Sequence, residues 1–219
     1  IPISAELLII ERDLTLLEYN NCRYHIAQIS SANSVDIIRE RKNKVNFSCG
    51  VSINNLSLNE NDIGDFKTFL KLSPPLRTET DRNALVQGLN DETIDVIVSD
   101  HKPEDEENKR LTFAQAETGA SGIETLLPLS LELYHNGSVE LETIIKALTS
   151  KPAEILKINK GNLSTGNDAD FCIVDINKPW VVRKEKLISK SKNTPIEDKK
   201  LQGKVISTFV NGEELFKSE

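Results

Sequence analysis

Thr93-Ile94-Asp95-Val96-Ile97-Val98-Ser99-Asp100-His101-Lys102-Pro103 decides how this chain is read. Ile94, Val96, Ile97 and Val98 are nearly continuous, which suits a parallel strand covered on both faces rather than an alternating surface strand. The run stops abruptly at Ser99-Asp100. A carboxylate at the C-terminal end of such a strand lies where α/β barrels keep their chemistry, and the plainer alternative is that Asp100 caps the loop it opens.

Working outward, the flanking segments alternate in type. Apolar spacing at Leu7, Ile10, Leu14 and Leu17 predicts a helix from about Ser4 to Glu18, followed by a buried strand over Arg23 to Ile29. A helix over Ser31 to Arg41, with Ser30 or Ser31 as N-cap, precedes a strand over Val45 to Val51. A turn-rich loop at Asn59 to Asp65, a helix over Asp81 to Leu89 and the strand Thr93 to Ser99 complete a series that consecutive right-handed βαβ units require.

After the charged loop Lys102 to Arg110, helices are expected over Ile123 to His135, Val139 to Thr149 and Pro152 to Lys157, with Ser138 and Ser150 as N-caps. The character then changes. Asp170 to Asp175 alternates, and Lys204 to Val210 and Glu213 to Phe216 flank Asn211-Gly212, a strong hairpin signal. Lys184 to Lys200 reads as a long polar loop with a short helix. The predicted division is residues 1–160 as part of a barrel and 161–219 as a small β-rich appendage.

Composition narrows the classes. The chain has 219 residues, a net charge of −7 and a pI near 5.2, with no clustered basic patch, which gives no electrostatic reason to expect nucleic acid. No stretch approaches the roughly 18 apolar residues of a membrane helix, so no membrane association is expected. Cys22, Cys49 and Cys172 are far apart, odd in number and without a Cys-x-x-Cys pair, which fits reduced thiols in a cytoplasm.

Three motif groups occur in a telling order. Lys71-Leu72-Ser73-Pro74-Pro75-Leu76-Arg77 precedes Ser99-Asp100-His101-Lys102-Pro103, and Gly122-Ile123-Glu124-Thr125-Leu126-Leu127-Pro128 follows. Downstream lie Gly161-x-Leu163-x-x-Gly166-x-x-Ala169-Asp170, Ser191-Lys192-Asn193-Thr194-Pro195 and Gly203-Lys204-Val205. Together they resemble the C-terminal half of dihydroorotases, members of the amidohydrolase superfamily. The resemblance implies an α/β fold: the last portion of a (β/α)8 barrel, about three parallel strands with helices, plus the C-terminal share of a β-rich appendage. It also implies that a longer protein supplies the His-x-His strand, which no segment here matches.

What the resemblance implies for chemistry is a zinc centre that lowers the pKa of a bound water, with the Asp after the last strand binding the centre and acting as general base. Asp100 matches that Asp. The family's second strand histidine falls on Gln28, in His25-Ile26-Ala27-Gln28-Ile29-Ser30, and 72 residues separate Gln28 from Asp100, about the family interval. An amide is a poor zinc ligand. His25 lies three residues away on the opposite face and reads as a packed or hydrogen-bonded strand residue instead.

Three further positions depart from the pattern. Ile53-Asn54-Asn55-Leu56 replaces Pro-His-His-Leu, Ser73 replaces the substrate-contacting Asn, and Glu104 replaces the last histidine of Asp-His-x-Pro-His. A carboxylate at Glu104 repels a dicarboxylic substrate where an imidazole donates a hydrogen bond. Gly122 allows close backbone approach to ligand or to a helix. Arg77 and Arg82 read as carboxylate clamps or as partners of local acids.

The expected site is therefore Asp100, with Gln28 as a degenerate ligand position and Ser73, Glu104 and Gly122 as substrate-contacting positions; zinc is expected to be absent or weakly held. The leading expectation is a degenerate dihydroorotase of pyrimidine synthesis acting as a structural partner of aspartate transcarbamoylase. Rivals are an active zinc-dependent dihydroorotase whose ligands lie mainly in the N-terminal half, or another amidohydrolase with altered ligands. A homo-oligomer, or association with the N-terminal half, is expected because three strands cannot close a barrel.

Overall fold

The structure is a computed structural model and describes residues 1–20 and 22–218. Helix α1 (Ile3–Tyr19) buries Ile10, Leu14 and Leu17 at the spacing read from sequence and leads to strand β1 (His25–Ile29). Helix α2 (Ala32–Arg41) is capped by the Ser31 hydroxyl, which accepts from the Ser34 amide, and precedes β2 (Ser48–Ser52). A short helix α3 (Ile53–Ser57), helix α4 (Glu79–Asn90) and strand β3 (Val96–Val98) follow.

The three strands form one parallel sheet in the order β1-β2-β3, with Gly50, Val51 and Ser52 opposite Val96, Ile97 and Val98. Parallel pairing puts all three C-terminal ends on one side. Helices α2 and α4 pack together, the later helix over Leu141–Leu148 packs on β3, and the core between them holds Leu14, Ile29, Ile38, Val51, Leu85, Leu129 and Ile144, each nearly or wholly inaccessible. Each such side chain contributes roughly 1.5–3 kcal/mol of burial free energy.

Beyond β3 come α5 (Glu106–Lys109), α6 (Leu126–His135), α7 (Leu141–Leu148) and α8 (Ser150–Leu156). Strands β4 (Phe171–Val181), β5 (Lys200–Val210) and β6 (Glu213–Lys217) form a separate antiparallel sheet in sequential order. Asn211 and Gly212, at φ 52° and 82°, make the β5–β6 turn. Two consecutive positive φ values are what an Asn-Gly hairpin turn demands.

Several boundaries differ from the sequence reading. Strand β2 starts at Ser48 rather than Val45, because pairing with the first strand begins where the Ser48 amide reaches the Tyr24 carbonyl. Strand β1 is half open instead of buried: as the sheet's edge it leaves His25 and Ala27 exposed. Strand β4 does not end at Asp175. Its carboxylate accepts from the Asn177 and Lys178 amides, the polar residues bulge out, and pairing resumes at Pro179 opposite Gln202.

Neither Ser138 nor Ser150 caps a helix. The N-cap positions are Glu140 and Thr149, without a side-chain cap bond; Ser138 instead closes an Asn136 turn and Ser150 is already helical. Helix α4 begins earlier than Asp81 because Thr78 and Asp81 form a capping box.

Asn193 joins the two layers. Its side-chain oxygen accepts from the Ser121 and Ser191 hydroxyls and from the Glu104 amide, and its amide nitrogen donates to the Gly119 carbonyl at 3.1 Å. The Ser121 amide donates to the Asn193 carbonyl in return. Asn193 and Ser121 are both buried.

Candidate functional site

The C-terminal ends of β1, β2 and β3 converge on Asp100, which leaves the last strand with φ 48°. That left-handed backbone turns the carboxylate back over the strand ends. Gln28, from the end of β1, donates its side-chain amide to Asp100 Oδ1 at 3.0 Å. The Ser52 hydroxyl, from the end of β2, faces the same carboxylate. Gln28, Ser52 and Asp100 thus form the centre of the mouth.

Burial holds the Asp100 carboxyl above its ordinary value, against the Gln28 amide, the Lys102 charge and the Ser52 hydroxyl, which all favour the anion. A carboxyl whose folded pKa exceeds its unfolded one binds its proton more tightly in the fold. Stability is therefore expected to fall as pH rises from 3.8 through the folded value. Asp100→Asn should flatten this limb; urea midpoints taken between about pH 3.5 and 6 measure it, and an unaltered slope would mean that the carboxyl ionises freely.

The other predicted positions spread around this centre. Gly122 backs the end of β3, where its amide donates to His101 Nδ1 at 3.2 Å. A Cβ at Gly122 would meet the Ser99 carbonyl oxygen at 2.3 Å, so the close approach is to backbone. Glu104 is partly buried beside Lys102, with its backbone held by Asn193 and Ser191. Ser73 is exposed and precedes a cis Ser73-Pro74 bond. Among the described residues no hydrogen bond joins Ser73 to Asp100, whose partners are Gln28 and Ser52.

All three histidines are engaged elsewhere. His25 Nδ1 lies 2.7 Å from Ser48 Oγ at the start of β1, with its pKa lowered by burial. His101 accepts from Gly122, and His135 bonds the Ile176 carbonyl. Among the described residues no group of three His, Cys, Asp or Glu side chains could hold a metal ion. The donors that this chain brings to the mouth, one carboxylate and one amide with a hydroxyl nearby, do not by themselves fit zinc.

Three groups went unnoticed in the sequence reading. Ser52 gave no signal of its own. Glu6 accepts from the Ser30 amide and from the Ser30, Ser31 and Ser34 hydroxyls, with Arg77 Nη2 at 3.9 Å. Arg77 is therefore the partner of a local acid. Lys109, at the end of the acidic run, is 1% exposed and donates to the Thr68, Lys71 and Glu117 carbonyls, while burial lowers its pKa to about 8. Asn54 Nδ2, Asn55 Oδ1 and Arg77 Nη2 are buried without a hydrogen-bond partner beside this mouth.

Comparison with known proteins follows this geometry. Residues 5–215 match the family model described as "Amidohydrolase family". The chain is 42% identical over 214 residues to a dihydroorotase of Ehrlichia canis (strain Jake), covering 97% of this chain and 48% of that protein. A dihydroorotase of Anaplasma phagocytophilum (strain HZ) is 40% identical over 221 residues, covering 100% of this chain and 49% of the other. The chain spans about half the length of the curated relatives it matches.

Among solved structures, L-hydantoinase (dihydropyrimidinase) from Arthrobacter aurescens superposes with a TM-score of 0.94 at 27% identity, over 99% of this chain and 49% of that one. Dihydropyrimidinase from Brevibacillus agri NCHU1002 shares the fold with a TM-score of 0.92 at 23% identity, over 99% and 49% of the two chains.

Proposed function

Because the chain belongs to the amidohydrolase family, we propose that it is the C-terminal half of a dihydroorotase-type protein whose hydrolytic centre has degenerated, leaving a structural role in pyrimidine synthesis in the cytoplasm. One observation carries this reading. The Gln28 side chain, which the resemblance sets against a family histidine, donates to Asp100, so the carboxylate that a hydrolase keeps for water is bonded to a group that neither binds zinc nor accepts a proton. No reaction step is derived through a metal.

Support for the partner role is the uncovered surface. Leu8, Leu16 and Tyr19 on the outer face of α1 are 66%, 54% and 83% exposed, and β1 and β3 are the two outer strands of the parallel sheet, with only a single bridge, His101 to Ala120, beyond β3 among the described residues. Such a surface calls for another polypeptide, whether the N-terminal half or a further copy. Aspartate transcarbamoylase is the partner we propose, on the family resemblance.

The test separates degeneration from simple incompleteness. The chain is joined to the N-terminal half of the Ehrlichia canis relative, and zinc content and dihydroorotate hydrolysis are measured with Gln28 and with Gln28→His. We expect the Gln28 hybrid to hold no stoichiometric zinc after dialysis and to be inactive, and Gln28→His to tighten zinc by roughly 100-fold. Turnover by the Gln28 hybrid would refute degeneration. Co-elution of the unaltered chain with aspartate transcarbamoylase in gel filtration tests the partner, and separate elution would remove it.

A further inference from the structure

Away from the Asp100 mouth, the antiparallel sheet and α6 enclose a cleft of about 690 Å3. Its floor is apolar: Leu127 and Pro128 from α6, Trp180 from β4, Val205 from β5 and Phe216 from β6. Trp180 is half-buried against the core, and its indole nitrogen donates to the Gly203 carbonyl at 3.1 Å, so the ring is fixed in its plane. A flat, immobile aromatic floor favours an apolar ligand at little cost in side-chain entropy.

The rim has the opposite character. Arg183, Lys186 and Lys204 line it, and Lys204 Nζ lies over the Trp180 ring, 5.9 Å from its centroid. Arg183 is ion-paired with Asp198, whereas Lys186 and Lys204 have no ion pair among the described residues. Among the described residues the cleft has a single acidic lining residue, Glu124, and both its oxygens are already taken, accepting from the Ile188 and Ser189 amides at 3.0 Å. Among the described residues, an anion entering here meets cations and no free carboxylate, in a chain whose overall charge is −7.

We propose that this cleft is a binding site for a small amphipathic anion, a molecule with a planar or chain-like apolar body seated on Trp180 and Leu127 and one carboxylate, sulfonate or phosphate group held by Lys186 and Lys204. The site is separate from the Asp100 mouth and does not depend on whether that mouth is catalytic. Neither the apolar floor nor the basic rim alone selects this class. Their juxtaposition does.

Trp180 is the only tryptophan of the chain, so its emission reports directly on the cleft. The purified chain is titrated with anilinonaphthalene sulfonate and, in parallel, with phenylnaphthylamine, its uncharged counterpart, following quenching of Trp180 and energy transfer to the dye. Saturable binding of one sulfonate probe per chain is expected, with the neutral probe binding at least about tenfold more weakly. Lys186→Ala with Lys204→Ala should raise the Kd of the sulfonate at least about tenfold and leave the neutral probe unchanged. Leu127→Glu should abolish both signals, circular dichroism confirming that each variant is folded. Should the double alanine variant prove unfolded, Lys186→Glu alone, at an exposed position, carries the same expectation. Equal affinity for the two probes, lack of saturation, or an unchanged Kd in the lysine variants would overturn the proposal and assign the signal to exposed apolar surface.

Discussion

Glu6→Ala should cost about 3 kcal/mol of folding stability, the low end of the range for removing one partner of a buried charged cluster, because Glu6 is partly buried. The carboxylate is the shared acceptor for one backbone amide and three hydroxyls, all from the segment that joins β1 to α2. Its removal orphans those donors and also leaves Arg77 without its nearest acid, although one guanidinium nitrogen already lacks a hydrogen bond. Glu6→Gln keeps the shape and one acceptor oxygen, and the hydroxyls can rotate to meet the new amide, so about 1–2 kcal/mol is expected there. Urea unfolding of the three proteins decides it. A loss below about 1 kcal/mol in Glu6→Ala would mean that water already satisfies the cluster.

Gly122→Ala is the second large effect, at about 3 kcal/mol. The added methyl would lie 2.3 Å from a backbone oxygen of the strand end, and backbone yields only by moving β3 or the start of α6. Because the Gly122 amide bonds His101, the residue after Asp100, the same displacement should change the Asp100 environment. A carboxyl NMR titration of Asp100 in Gly122→Ala should therefore differ from the unaltered chain. Wild-type stability together with an unmoved titration would show that the segment relaxes at no cost.

The parts of the fold legible in sequence were those set by local pattern. The apolar run formed a parallel strand, shortened to Val96–Val98 from the expected Thr93 to Ser99 and half-buried at Val98, Asp100 emerged just past its C-terminal end, and Asn211-Gly212 made the hairpin. Ser31 capped its helix because the cap bond spans three residues. Strand ends were less visible, since pairing with a neighbour sets them: Asp175 bends the chain without ending β4. The Glu6 cluster escaped notice because its partners lie 24 to 28 residues away, and Lys109 was hidden in an acidic stretch that reads as solvated. At the mouth, the resemblance, supported by the 72-residue interval, set Gln28 beside Asp100, but nothing in the sequence indicated that the amide would donate to the carboxylate.

Asn193 has a mechanical meaning as well. Its bonds to Ser121, Glu104 and Gly119 clamp the segment before β5 onto the loop that follows Asp100, so that this segment works as a strut between the sheets. A load applied to the antiparallel sheet is transmitted to the mouth with little give, because buried hydrogen bonds resist shear where a solvated linker would flex. Whatever grips the outer sheet thereby takes hold of the mouth loop too.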